Sequence, residues 1–170
     1  MAKTELGVGH QILMNVMIGK VIWFCGTNQG NSTDCVNWAV EELTTGSDSQ
    51  HLRLLAALNP PLNDFEVKDY AIKALDELGI QVPSGDEAVS AYARSLVNEI
   101  IIDRNKLREN LKKLFTLCHS NDYQEDLYDF YLLHCAVDDL DYGDVQHYWE
   151  GANKDNIEDL IVYKCIEFAQ

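Results

Sequence analysis

A chain of 170 residues, 46% apolar, has the size and apolar share of one globular domain, and three prolines and ten glycines leave no room for a long flexible linker. With 28 acidic and 13 basic residues its net charge is −15, the wrong sign for gripping nucleic-acid phosphates. No period of roughly 20 to 50 residues marks a repeat array.

Residues 12 to 25 are the most apolar stretch. Asn15, Gly19 and Lys20 interrupt it, and it falls short of the roughly 20 apolar residues that a membrane span needs. Lys3 is offset by Glu5 and no small-residue cleavage site follows, so no secretory leader is expected. The stretch reads either as one buried helix or as a short β-hairpin over residues 11–25. Gly19-Lys20 would then be a Gly-X turn between β-rich segments. Periodicity does not separate the two; the helix is preferred because everything after it is helical.

The run VIWFCGTNQGNSTD, residues 21 to 34, has the outline of a strand, a Gly-rich phosphate loop and a helix start. A P-loop needs G-x-x-x-x-G-K-[ST], whose backbone N–H groups cradle phosphates while the lysine reaches the terminal ones. Here Gly26 and Gly30 are one residue too close, and Asn31 stands where the lysine should be. The net charge also repels a polyphosphate. The segment reads as a turn followed by a helix cap.

From residue 33 the apolar spacing is helical almost throughout. Ser32, Thr33 or Asp34 caps a helix carrying Val36, Ala39, Val40 and Leu43, and Gly46 stops it. Ser47 or Asp48 caps the next, with Leu52, Leu55 and Ala56 on one face, ended by Asn59-Pro60-Pro61. A third begins near Asn63 or Asp64 and uses Val67, Ala71, Ala74, Leu75 and Leu78. Ser84 and Glu87 form a capping box before the clearest stripe, Val89, Tyr92, Ala93, Leu96, Val97 and Ile100. Leu107, Leu111, Leu114, Phe115 and Cys118 follow. After an Asn121 cap come Leu127, Phe130, Tyr131, His134 and Val137. Val145, Tyr148 and Trp149 predict a short helix, and Ile157, Leu160, Ile161, Lys164 and Phe168 the last. The fold expected is mainly α, a single domain over residues 1–170 with an unassigned segment at 1–30. Its short connections imply an antiparallel array of about six to eight helices.

Few constellations point to chemistry. Cys118-His119 and His134-Cys135 resemble a ligand set, but adjacent helical residues point about 100° apart. The spacing of two to four residues usual for zinc is also missing. Asp144 and His147 stand at i, i+3 without the matching pair on another helix that a di-iron bundle requires. There is no nucleophile elbow. No catalytic residue, metal or cofactor is therefore assigned, and the reading leans away from an enzyme. The five cysteines are odd in number with no C-x-x-C, which points to free thiols and a cytoplasmic protein.

Charge is the strongest lead. Residues 121 to 170 hold 13 acids and two lysines, against 15 acids and 11 bases before them. Asp122, Glu125, Asp126 and Asp129 are expected on one helix, with Asp138, Asp139, Asp141 and Asp144 crowding the turn after it. Arg104, Lys106, Arg108, Lys112 and Lys113 precede them. Such acids either keep the protein soluble or form a docking face for a basic partner, whose arrival would relieve their repulsion.

The order Trp38-Ala39, Leu43, Gly46-Ser47-Asp48-Ser49, Leu52, Leu55-Ala56, Phe65-Glu66, Leu78-Gly79-Ile80, Pro83, Tyr92-Ala93 resembles a group of small, acidic, all-helical bacterial proteins of unassigned function. Some of these are similar to immunity proteins of polymorphic-toxin systems. The resemblance covers residues 35 to 100 and part of the acidic end, and its motifs speak to fold more than to activity. It implies an interaction protein that binds and blocks a cationic toxin; charge argues against nucleic acid as the partner, and the short apolar stretch against a membrane. The alternative is a small metal protein or enzyme using the His, Cys and carboxylates of the C-terminal half.

Overall fold

The computed structural model describes the backbone of residues 4–170 and the side chains of residues 16–170. Among the described residues there are eight α-helices, two single 3-10 turns and no strand. The chain divides into two compact units, Met1–Tyr92 and Ala93–Gln170. None of the described helices is long and apolar enough to cross a membrane.

The first unit begins with α1, Thr4–Thr27, which runs unbroken through Gly19 and Lys20, so the hairpin does not form. Its register explains this: Val21, Phe24 and Cys25 recur at i, i+3 and i+4 and are buried together, a pattern that two strands could not present on one face. Gly26 then comes so close to residues 83–88 that a Cβ there would lie 2.4 Å from Ala88 Cβ and from the Pro83 carbonyl oxygen. Thr27 closes the helix by donating its hydroxyl to the Trp23 carbonyl and accepting from Gln29 N–H. Asn28 turns the chain with φ +59°, and its side chain accepts from Lys68. The run read as a turn and cap is both, although Asn31, rather than the Ser32, Thr33 or Asp34 expected, caps α2 by accepting from Thr33 N–H at 2.9 Å.

Helix α2, Ser32–Thr45, buries Cys35, Trp38, Ala39 and Glu42, a face rotated from the expected Val36–Val40 stripe. Trp38 explains the rotation: its ring carries the most apolar area on the helix and takes the inward position, leaving Val40 48% exposed. Buried Glu42 accepts the Ser47 hydroxyl at 2.7 Å. Ser49, not Ser47 or Asp48, caps α3, Gln50–Ala56. Asn63 caps α4, Asp64–Glu77, whose Val67, Ala71, Ala74 and Leu75 are buried as their spacing predicts. These stripes and the inner faces of α1 and α3 close one core around Trp38, Leu52 and Leu55.

Helix α5, Asp86–Ile102, carries the boundary between the units. All six residues of its expected stripe are buried. The capping box does not form, because the Gly85 carbonyl accepts from Ala88 and Val89 and the helix starts one residue later than that box requires.

In the second unit α6, Leu107–Ser120, lies along α7, Tyr128–Tyr142, which also packs on α8, Ile157–Ala169. The start of α7 differs from expectation. Asn121 ends α6 instead of capping α7, and Asp122 and Tyr123 both adopt left-handed backbone, φ +51° and +57°. Tyr123 N–H returns to the Cys118 carbonyl at 2.9 Å, the backward bond that finishes a helix. The inward stripe of α7 is Phe130, Leu133, Ala136, Val137 and Leu140, with Tyr131 and His134 at its edge.

No helix forms at residues 145–149. The Gln146 side chain accepts from the N–H groups of Tyr148 and Trp149 and donates to the carbonyls of Trp149 and Ala152. One amide thus satisfies four backbone groups that a helix would have paired differently.

Candidate partner-binding surface

Of the eight acids expected on one surface, only Asp129, Asp138, Asp139 and Asp141 lie on α7. Asp122 sits in the left-handed turn, and Glu125 and Asp126 belong to the 3-10 turn Glu125–Leu127. Asp122, Asp126 and Asp129 therefore do not share a helix face at i, i+4 and i+7. The Tyr123 return to Cys118 delays the helix past the first three acids. Asp144 follows α7, in the segment organised by Gln146.

Three of the eight are already paired. Asp129 meets Lys164 at 2.6 Å, and this contact with Glu167 raises the lysine pKa. Arg108 Nη1 lies 3.0 and 2.9 Å from the two oxygens of Asp141. Lys154 meets Asp144 at 2.9 Å and holds its carboxyl below the usual range. Asp126 accepts from Gln124 Nε2 at 2.7 Å. Asp138 lies 3.9 Å from His134 Nδ1, beyond hydrogen-bond reach. Among the described residues no Lys or Arg pairs with Asp122, Glu125 or Asp139.

The basic helix only partly offsets this. Arg108 reaches Asp141 and Glu158, and Arg104 reaches Asp159, while Lys106 and Lys113 are held by Glu109 within their own segment.

His134 is largely covered, with 14% of its side chain exposed, and stacks on Phe115 at 4.3 Å. Burial pushes its pKa down, Asp138 acts against that, and Lys112 and Arg108 add to it. His119 also lies near-parallel to Phe115, at 6.4 Å, so both imidazoles neighbour the same ring. Cys118 turns inward with its thiol towards the Gln124 carbonyl, and burial together with the Asp126 charge pushes it up to about 11. Among the described residues no group of three His, Cys, Asp or Glu side chains is placed to hold a metal ion.

An aromatic assembly was not anticipated. Tyr131 stacks on Phe115 at 4.9 Å and on Tyr128 at 5.7 Å, and it receives the edge of Tyr123 at 5.2 Å. The signal was present as Phe115 and His119 one turn apart on one helix and Tyr128, Tyr131 and His134 on the next. It becomes visible only when the two faces are set against each other.

No known protein family, curated protein or solved structure matches the chain.

Proposed function

We propose that the chain is a protein-binding module whose acidic C-terminal surface docks a basic partner, acting as an immunity protein that covers a cationic toxin in the cytoplasm. The surface is Asp122, Glu125, Asp126, Asp129, Asp138, Asp139, Asp141 and Asp144. The observation that carries this reading is that no Lys or Arg of their unit comes within ion-pair distance of Asp122, Glu125 or Asp139, while Arg104, Arg108 and Lys164 there are engaged by other acids. Uncompensated like charges repel and cost stability in the free protein. A cationic partner supplies the missing charge and is drawn in faster by the field. The paired acids frame the surface and contribute less, because exposed ion pairs are worth little and their charge is already offset.

The test is growth rescue. The product of the gene adjacent to the one encoding this chain is expressed alone, with the chain, and with the Asp122→Asn, Glu125→Gln, Asp139→Asn variant. The expected result is toxicity that the chain relieves and the variant relieves less. A neighbour that is harmless, or rescue unchanged by the variant, would contradict the reading.

A further inference from the structure

The loop between α6 and α7 brings rings and carboxylates to one place. Phe115, Tyr131 and Tyr128 form a stacked row, and Tyr123 sets its edge against Tyr131 at 5.2 Å and against Tyr128 at 6.5 Å. The row is not closed over at its Tyr123 end: Tyr123 is 46% exposed and Tyr128 42%. Tyr123 takes this position from a left-handed backbone directly after another left-handed residue, Asp122, a conformation that side chains rarely adopt.

Charge is uneven along the row. At the His134 end Lys112 and Arg108 act on the imidazole beside Asp138. At the Tyr123 end stand Asp122 and Glu125, which no described Lys or Arg pairs with, and Asp126, which takes the Gln124 amide. The exposed rings therefore stand in the same short segment as acids that no described Lys or Arg offsets.

We propose that Tyr123 and Tyr128, with Asp122 and Glu125, form a notch that takes an arginine side chain of a basic protein. The guanidinium lies flat on an exposed phenol ring and donates its N–H groups to a neighbouring carboxylate. A ring face attracts a cation, and the planar fork of arginine can stack and donate at once, whereas the compact ammonium of lysine holds its water more strongly. The notch gives the partner a residue preference that bare acids would not. This proposal rests on the reading of the acidic surface as a dock for a basic protein.

Octa-arginine and octa-lysine, of equal charge, are the probes, titrated into the chain by calorimetry with the tyrosine ring signals followed by NMR. The expected result is a preference for octa-arginine of roughly two- to fivefold, the factor that a cation–π contact at an exposed site gives. Ring shifts should be confined to Tyr123, Tyr128 and their stacked neighbours. The Tyr123→Leu, Tyr128→Leu variant should lose the preference and keep its affinity for octa-lysine. The Tyr123→Phe, Tyr128→Phe variant, which retains both rings, should keep the preference. Equal binding of the two peptides by the unaltered chain, or a preference that survives in the leucine variant, would overturn the notch and leave the acidic dock standing. Binding of neither peptide would overturn both.

Discussion

The carboxylate of Glu77, at the end of α4, clasps the start of α3 through His51. One oxygen lies 2.5 Å from His51 Nδ1 and the other accepts His51 N–H at 3.1 Å. Hydrogen bonding from Ser49 and then from His51 holds the Glu77 carboxyl down at about 2. A carboxyl whose folded pKa is depressed stabilises the fold above its unfolded value, near 4.3, and loses that contribution as pH falls towards 2. Glu77→Gln should therefore lower the melting temperature at neutral pH, with the difference from the unaltered chain shrinking below pH 4 and gone near pH 2. Thermal melts across that range check it; a constant difference would mean that the contribution is not ionic.

Gly26 admits no side chain without movement of backbone. A Cβ at that position would press on the Pro83 carbonyl oxygen and on Ala88 Cβ, both at 2.4 Å. Gly26→Ala should cost about 1–3 kcal/mol, as overpacking does. Gly143→Ala, where the nearest atom is 3.7 Å away and the backbone is extended, should cost far less. Urea denaturation of both variants makes the comparison.

Gln146→Ala removes a partner from four backbone groups of residues 148–152, of which the Trp149 carbonyl still accepts Ala152 N–H at 3.2 Å. Groups that find no replacement cost roughly 1–3 kcal/mol, and those reached by water cost less. Hydrogen exchange should quicken at the N–H groups of Tyr148 and Trp149 while α8 stays protected. Unchanged exchange at both would show that the turn holds without the amide.

All five cysteines are free thiols, and four are buried. The Cys35 thiol hydrogen-bonds to Cys25, lowering the pKa of Cys25 and raising its own, while burial pushes Cys165 up to about 12. Exposure should dominate reactivity here: a thiol reagent at neutral pH should modify partly exposed Cys135 first, and the other four only on unfolding. Peptide mapping after brief alkylation checks this, and early labelling of Cys25 would contradict it.

The helices were legible wherever burial follows spacing alone. The α4 and α5 stripes read directly, because no side chain on those helices competes with the apolar face. Trp38 turned α2 away from its valines, and period by itself does not weigh residue size. The entry to α7 was missed because two successive non-glycine residues, Asp122 and Tyr123, take left-handed backbone, which their residue types do not announce. That single turn removed Asp122, Glu125 and Asp126 from the helix expected to align them. Pairing was likewise not legible: Lys164 and Lys154 reach Asp129 and Asp144 from 35 and ten residues away in the chain. Only their positions in space separate the offset acids from the uncompensated ones.

That separation is what one measurement tests most directly. Two variants each remove three negative charges: Asp122→Asn, Glu125→Gln, Asp139→Asn from the uncompensated set, and Asp129→Asn, Asp141→Asn, Asp144→Asn from the paired set. Octa-lysine binding to each is measured at low salt and near 0.15 M, where the screening length falls to about 8 Å. If the uncompensated acids draw the partner, the first variant binds distinctly more weakly than the second, and its affinity depends less on salt. Equal loss in the two variants would mean that the peptide senses only net charge, and that these residues form no docking site.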